Sequence, residues 1–155
     1  MIARKIFLLL GAMACPALLV ACDDDDGGRG PLDGESNACV DRINGFRDSI
    51  GLPPLERWSD AESCADDQAR QDSESGTFHG AFGQCEESAQ NECPGWGSYD
   101  QIIEGCLQMM WDEGPGEPYS EHGHYINMTN TAYAEVACGF YTTPEGAVWA
   151  VQDFR

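Results

Sequence analysis

The placement of six cysteines behind an apolar N-terminal segment constrains the fold of this 155-residue chain more than any other feature. Cys15 lies within that segment, and Cys22 directly follows it. The remaining cysteines are Cys39, Cys64, Cys85, Cys93, Cys106 and Cys138. Six cysteines in an exported domain predict three disulfides, and the lack of any C-x-x-C pair argues against a structural zinc cluster. Spacing leaves the connectivity open, although Cys85 and Cys93 bracket a polar loop and are predicted to pair.

Residues 1–21 are predicted to be a signal peptide. Arg4 and Lys5 precede an apolar stretch over 6–20 that is too short, and wrongly flanked, to be a membrane-spanning helix of the mature protein. It ends in L-V-A-C, which resembles the cleavage signal of bacterial lipoprotein signal peptidase. Cys22 then begins the mature chain and carries acyl chains, which anchor a protein stably to a membrane. We therefore expect an extracytoplasmic lipoprotein of the bacterial envelope or cell surface; the alternative is an ordinary secreted protein cleaved near Ala21.

Residues 22–36 are predicted to be an acidic, glycine-rich tether, and residues 37–155 a single domain. The four consecutive aspartates of the tether lack the alternating ligand spacing of a calcium loop and are interpreted as a solvated spacer. Loss of Arg4 and Lys5 with the signal peptide changes the formal net charge from −19 to −21. That charge disfavours binding to nucleic acids and to anionic membranes, and it favours a soluble monomer.

Hydrophobic periodicity predicts helices first and antiparallel strands last, which is an α+β domain. The helices are predicted over 37–49, 59–75 and 98–113. The strands are predicted over 125–129, 135–141 and 147–154. Two capping boxes, Ser59-x-x-Glu62 and Ser98-x-x-Gln101, mark helix starts. Residues 76–97 show no periodicity and are predicted to form a loop.

The three histidines of the chain are candidate site residues. His79 stands alone in F-H-G, whereas His122 and His124 lie together in H-G-H-Y. Neutral imidazole is the commonest metal ligand in proteins, and imidazole also exchanges protons near neutral pH. The competing interpretation of each histidine is a hydrogen-bonded structural residue.

The order of several short motifs resembles the CAP superfamily, which comprises cysteine-rich secretory proteins, antigen 5 and plant pathogenesis-related group one proteins. The motifs are N-G-F-R (44–47), G-L-P-P-L (51–55), F-H (78–79), A-Q-N (89–91), W-D-E (111–113), G-H-Y (123–125), V-A-C-G (136–139) and W-A-V-Q-D-F (149–154). They cover essentially everything from Cys39 to the C-terminus. No single motif is specific, but their order and compatible spacing are strong evidence together. The resemblance implies a three-layer α-β-α sandwich with a mainly antiparallel sheet, cross-linked by disulfides.

The resemblance also implies a cleft with two histidines and two glutamates. On this chain the histidines are His79 and His124, and one glutamate is Glu113. The other position is Gln90, because the family's A-E-N reads A-Q-N here. Two imidazoles can hold zinc or another divalent cation and leave positions open for water. Because Gln90 carries no negative charge, we expect such an ion to bind weakly.

Four further residues are candidates for the same site. His122 is a third metal ligand if a strand places it on the face of His124; we favour a neighbouring position without contact to the ion. Glu86, Glu87 and Glu92 could replace the missing carboxylate. A charged loop surface is the interpretation that we favour for these three.

Three functions are compatible with these residues. The first is a binding module whose cleft takes a divalent metal, a small lipid-like ligand or a polymer of the cell envelope. The second is a metal-dependent, protease-like hydrolase in which Glu113 is the general base and His79 and His124 hold the metal. The third is a structural envelope protein whose cleft has lost its role. A serine or cysteine nucleophile is the weakest alternative, because the chain contains no G-x-S-x-G and the cysteines are expected in disulfides.

Overall fold

The computed structural model describes residues 33–155, which form five helices and four strands joined by short connections. The helices are α1 (Asp33–Ser49), α2 (Ser59–Ser75), α3 (Tyr99–Gln101), α4 (Leu107–Asp112) and α5 (Tyr119–Thr129). A π-helical segment, Ile102–Cys106, joins α3 to α4 without a break. The strands are β1 (Glu56–Arg57), β2 (Ala89–Trp96), β3 (Glu135–Thr142) and β4 (Val148–Phe154). The predicted signal peptide, the predicted lipidation of Cys22 and residues 22–32 of the predicted tether lie outside the described residues.

The four strands form one sheet in the order β1-β3-β4-β2. The short β1 is parallel to β3, and the other pairs are antiparallel, as expected of a mainly antiparallel sheet. β2 is therefore an edge strand. Its register places Gln90 opposite Asp153 and Asn91 opposite Gln152.

Helices cover both faces of the sheet, which confirms the α-β-α sandwich. On one face α2 packs through Ala61, Ala65 and Ala69 against β3 and β4. The approach is so close that a Cβ on Gly139 would lie 2.2 Å from the backbone carbon of Ala65. On the other face, α1, the π-helical segment, α4 and α5 enclose the larger apolar core. Small residues at α2 and Gly139 thus set the distance between the helix and the sheet.

Three disulfides connect the layers: Cys39–Cys138, Cys64–Cys85 and Cys93–Cys106. All six predicted cysteines are used, but the predicted pair of Cys85 with Cys93 is wrong. Cys85 lies beside α2, whereas Cys93 is in β2 and faces the π-helical segment on the opposite side of the sheet. Closeness in sequence is therefore a poor guide to this pairing, because the two cysteines lie on opposite sides of the sheet.

Residues 125–129, predicted as a strand, belong to helix α5. Five residues are too few to separate an alternating pattern from a helical one. The helix starts after Pro118, and the Tyr119 ring lies against Gly123, one turn later. Consecutive Asn127 and Met128 are both buried, which an alternating strand with one solvated face would not allow.

Strand β2 occupies the second half of the predicted loop 76–97. Its residues from Ala89 to Cys93 are all buried, yet three of these five are polar. The hydrophobic pattern misses this strand because hydrogen bonds, rather than apolar contacts, satisfy its buried side chains.

Two helix starts also differ from the prediction. α1 includes residues 33–36 of the predicted tether, before the predicted start at Asn37, and Ser36 is buried with its hydroxyl 2.9 Å from the Cys138 carbonyl oxygen. At α2 the capping box does not form, because Glu62 instead accepts two hydrogen bonds from Arg57. The Ser98 cap is present, with Ser98 Oγ accepting from Gln101 N–H. Within 33–155, no helix combines the length and apolarity that crossing a bilayer requires.

Candidate functional site

A cleft follows the free edge of β2, between the loop after α2 and helix α5. Its central cavity has a volume of about 220 Å³, and His79, Gln90 and His124 line it together. The fold thus brings together two histidines that are 45 positions apart in the sequence. On one side a cavity of about 380 Å³ shares His79 and Gln90, and on the other a cavity of about 690 Å³ shares His124.

Helix α5 presents His124 to the cleft, and Glu113, at the end of α4, holds its ring. Nδ1 of His124 lies 2.5 Å from Oε1 of Glu113, and the His124 backbone N–H donates to Oε2 at 3.1 Å. A carboxylate only accepts hydrogen bonds, so Nδ1 carries the ring proton. The Nε2 atom of neutral His124 consequently keeps its lone pair.

The loop after α2 presents His79 in a left-handed backbone conformation with φ of 55°. The backbone N–H of His79 donates to Oε2 of Glu92 at 2.6 Å, which helps to hold this uncommon conformation. Nδ1 of His79 lies 2.9 Å from Oε1 of Gln90 and 3.7 Å from Oε2 of Glu92. Both neighbours are acceptors, so the proton of neutral His79 also lies on Nδ1.

Behind His79 lies a buried polar network between α2, β2 and β4. Nε2 of Gln90 donates to Asp153 Oδ1 and to Gln68 Oε1, both at 2.9 Å. Nε2 of Gln68 in turn donates to the Ala81 carbonyl oxygen at 3.0 Å and to Glu87 Oε1 at 2.7 Å. Gln68, Gln90 and Asp153 are all buried. The network supports the loop that carries His79.

Burial raises the pKa of the carboxyl groups in and around this network. The pKa of Asp153 rises to about 7, chiefly through desolvation, with a further contribution from the charges of Glu87 and Asp72. Desolvation also raises the pKa of Glu92 and of Asp72. Asp153 Oδ2, Glu92 Oε1 and Asp72 Oδ2 have no hydrogen-bond partner among residues 33–155. Desolvation therefore keeps these carboxyl groups protonated to a higher pH than the same groups in water.

Two predictions about the flanking glutamates are corrected by this arrangement. Glu86 is exposed, as a charged loop surface would be, but Glu87 and Glu92 are buried. Glu87 accepts hydrogen bonds from the backbone N–H groups of Gly83 and Cys85 and so shapes the loop. Glu92 supplies a carboxylate beside His79. If β2 had been recognised as a strand, Glu92 would have been predicted at the site, because alternate residues such as Gln90 and Glu92 lie on one face of a strand.

His122 does not line the central cavity. Its Nδ1 donates to the carbonyl oxygens of Glu113 at 2.7 Å and Gly114 at 2.9 Å. A shared strand face was the condition for His122 to be a third ligand. Both histidines instead lie in helix α5, where residues two positions apart point in different directions. His122 instead ties α5 to the end of α4, next to Glu113.

The atoms that the cleft could offer to a divalent cation are nitrogens of two imidazoles, since His79 and His124 line the same cavity. His79 and His124 each have Nδ1 engaged by an oxygen and Nε2 left for a ligand, which is the usual arrangement of metal-binding histidines. Among residues 33–155, the one group of three potential ligands whose atoms lie within 4.8 Å of one another is Cys85, Glu87 and Asp153. The sulfur of Cys85 is bonded to Cys64, so that group offers no thiolate.

Sequence and structure comparisons agree on the type of domain. The family model described as CAP, the cysteine-rich secretory protein family, matches residues 40–154. The fold is similar to BmVAL-1, with 16% identity over 84% of this chain and 79% of that chain and a TM-score of 0.59. It is also similar to Na-ASP-1, with 14% identity, 79% of this chain covered and a TM-score of 0.57. This chain spans 38% of the length of Na-ASP-1. No curated protein matches the chain.

Proposed function

Because the chain belongs to the CAP, or cysteine-rich secretory protein, family, we propose that it is an extracytoplasmic binding module whose cleft holds a divalent cation between His79 and His124. One observation carries the proposal: both imidazoles line one cavity, and an acceptor at each Nδ1 leaves each Nε2 free to ligate. Three disulfides fit an oxidising compartment.

Zinc is the ion that we expect, and its binding is weak. Two imidazoles leave coordination positions open for water or for part of a ligand. Glu113 and Gln90 orient the two rings and do not themselves need to touch the ion. Gln90 is neutral, so the carboxylate that the family places there does not offset the charge of the ion.

The larger neighbouring cavity supports a lipid-like ligand. Its volume is about 690 Å³, and Trp96, Met109 and Met110 contribute apolar walls that extend away from His124 and Glu113. Met109 is 64% exposed and lines this cavity with Met110 and Trp96, so an apolar ligand there would cover apolar surface. A molecule with an apolar body and a polar end would place that end beside His124 and the ion.

Calorimetric titration of the purified protein with zinc tests the proposal. We expect His79→Ala and His124→Ala each to lower the affinity at least about tenfold, because each removes one of the two ligands. His122→Ala is the matched control, and its affinity should equal that of wild type because His122 lies outside the central cavity. Equal affinity in all four proteins would rule out this site.

The hydrolase remains a second candidate with less support. Both carboxylate oxygens of Glu113 accept hydrogen bonds from His124, which are the contacts of a group that orients this ring, and no contact of Glu113 points specifically to a general base. The alternative predicts peptidase activity that is lost both with a chelator and in Glu113→Gln. Activity that survives both treatments excludes the proposed mechanism.

Anchoring through Cys22 is the final part of the proposal and is tested in cells. Cys22→Ser should release the protein from the membrane fraction, because the residue that carries the acyl chains is lost. Retention of Cys22→Ser in that fraction would contradict a lipid anchor at this position.

A further inference from the structure

We propose that Asp153, acting through the side-chain amide of Gln90, fixes the ring proton of His79 on Nδ1 and leaves its Nε2 as the ligating atom. Asp153 is a positioning residue in this proposal and does not touch the cleft. The hydrogen-bond chain stands on its own geometry, whereas its consequence for zinc rests on the proposed function.

The first step concerns the direction in which the Gln90 amide points. Its NH₂ group has two donors, and two acceptors meet it at 2.9 Å, Oδ1 of Asp153 and Oε1 of Gln68. If the amide were turned over, its carbonyl oxygen would face these two oxygens without a hydrogen bond. The hydrogen bond to a carboxylate is the stronger of the two, so Asp153 dominates the choice.

The second step shows why Gln68 cannot reverse this direction. The NH₂ group of Gln68 donates to the Ala81 carbonyl oxygen and to Glu87 Oε1. A backbone carbonyl oxygen is only an acceptor, so Gln68 must present its own carbonyl oxygen to Gln90. Both ends of the network therefore impose the same polarity.

The third step carries this polarity to the cleft. With its NH₂ group directed inward, Gln90 presents Oε1 to His79 Nδ1 at 2.9 Å. Oε1 is only an acceptor, so neutral His79 must carry its proton on Nδ1. An acceptor at Nδ1 also raises the basicity of the other ring nitrogen, as in metal-binding histidines.

This series of hydrogen bonds explains how the cleft tolerates glutamine where the family has glutamate. The carboxyl group is moved one hydrogen bond deeper, to Asp153, and the Gln90 amide transmits its orienting effect. Restoring glutamate by Gln90→Glu would place a second carboxylate against Asp153 Oδ1 and against the carbonyl oxygen of Gln68. Two such carboxylates cannot both be ionised at this distance, so the family residue would not simply strengthen the site here.

Nitrogen-15 NMR of the metal-free, uniformly labelled protein tests the proposal, because protonated and unprotonated ring nitrogens resonate far apart. At pH 8, above the usual pKa of imidazole, we expect His79 to show a protonated Nδ1 and an unprotonated Nε2. In Gln68→Leu, Asp153 still fixes the Gln90 amide, so His79 should keep its wild-type frequencies. Adding Asp153→Asn leaves the amide facing only a group that can both donate and accept, so in this double variant Gln90 can turn over and His79 should show a mixture of both tautomers. Gln90→Leu removes the acceptor and should also disturb His79.

The other two histidines report on folding in the same spectra. Glu113 and the carbonyl oxygens at the end of α4 hold the Nδ1 protons of His124 and His122, so both should keep their wild-type frequencies in all of these variants. A proton on Nε2 of wild-type His79 would overturn the proposal, as would His79 frequencies that are the same in Gln68→Leu and in the double variant. Because no metal is present, either result is independent of whether zinc binds. In the zinc titration, the double variant should bind about tenfold more weakly than Gln68→Leu.

Discussion

Asp153 is a fully buried carboxyl group among polar side chains, with no arginine or lysine as its partner in the residues described. The Gln90 amide donates to one of its oxygens, but desolvation dominates and raises its pKa to about 7. The folded protein therefore keeps this proton to a higher pH than the unfolded chain does. Such a group makes stability depend on pH.

The sign of this dependence is opposite to that of most carboxyl groups. In the unfolded chain Asp153 ionises near its ordinary pKa of about 3.9, and in the fold near 7. Its contribution is complete below the unfolded pKa and is lost as the pH rises to about 7. With about 1.4 kcal/mol for each pKa unit, the free energy of unfolding should fall by roughly 4 kcal/mol across this window.

Asp153→Asn should remove this part of the slope, and urea unfolding between pH 4.5 and about 8 measures it. Asp72 and Glu92, whose pKa values are also raised, keep a residual slope of the same sign in both proteins. Asp41→Asn changes an exposed carboxyl of α1 and should follow the wild-type curve. Parallel curves for wild type and Asp153→Asn would contradict the ionisation argument.

The sequence predicted the residues that line the cleft better than the buried residues behind them. His79, His124, Gln90 and Glu113 were named as candidates because short motifs place them, and the fold brings both histidines and Gln90 to one cavity. Asp153 lay inside the W-A-V-Q-D-F motif without an assigned role. Only the pairing of β2 with β4 sets Asp153 opposite Gln90, and that contact spans 63 positions.

At the scale of elements, the contact of α2 with β3 depends on the absence of a side chain at Gly139. A Cβ there would lie 2.2 Å from the Ala65 backbone carbon and 2.4 Å from the Asp66 nitrogen. Asp66 Oδ1 also accepts a hydrogen bond from Phe140 N–H at 2.6 Å, which locks the helix against the strand. Neither backbone can move without disturbing that bond.

Gly139→Ala should therefore lower the free energy of unfolding by about 3 kcal/mol or more, because an added methyl group overpacks the interface. Gly45→Ala is the matched control. Gly45 lies in α1 with no heavy atom within 4 Å of its added Cβ, so alanine there should raise stability by about 0.5–1 kcal/mol. Urea unfolding of both variants gives the comparison, and a neutral Gly139→Ala would contradict the close approach of helix and strand.

The elements that the sequence predicted are those with buried apolar residues at regular spacing, although α2 and β4 also bury Gln68 and Asp153. α1, α2, β3 and β4 follow hydrophobic periodicity, and glycines end the first two: Gly76 is left-handed with φ of 65°. β2 was missed because Gln90, Asn91 and Glu92 are buried polar residues whose partners are hydrogen-bonding groups, and a hydropathy pattern does not predict buried polar residues. α5 was missed because its inward face is short and carries Asn127, which donates to Asn91.

Across the whole molecule, the three disulfides divide the chain into loops of very different length. Cys39–Cys138 joins residues 99 positions apart and connects α1 to β3, whereas Cys93–Cys106 spans 13 positions. In the chain-entropy account, a cross-link stabilises the fold mainly by restricting the unfolded state, and a longer loop restricts it more. That account assigns about 4.7 kcal/mol to a loop of about 100 residues and about 3 kcal/mol to one of about 15.

Two double variants separate this effect from the loss of packing. Cys39→Ala with Cys138→Ala removes two fully buried sulfurs, and Cys93→Ala with Cys106→Ala removes two sulfurs that are almost as buried, so their packing losses are similar. We expect the first pair to lose about 1.5 kcal/mol more than the second in urea unfolding under oxidising conditions. Equal losses, or a larger loss for the short loop, would mean that contacts in the folded state, rather than the unfolded chain, determine what each disulfide contributes.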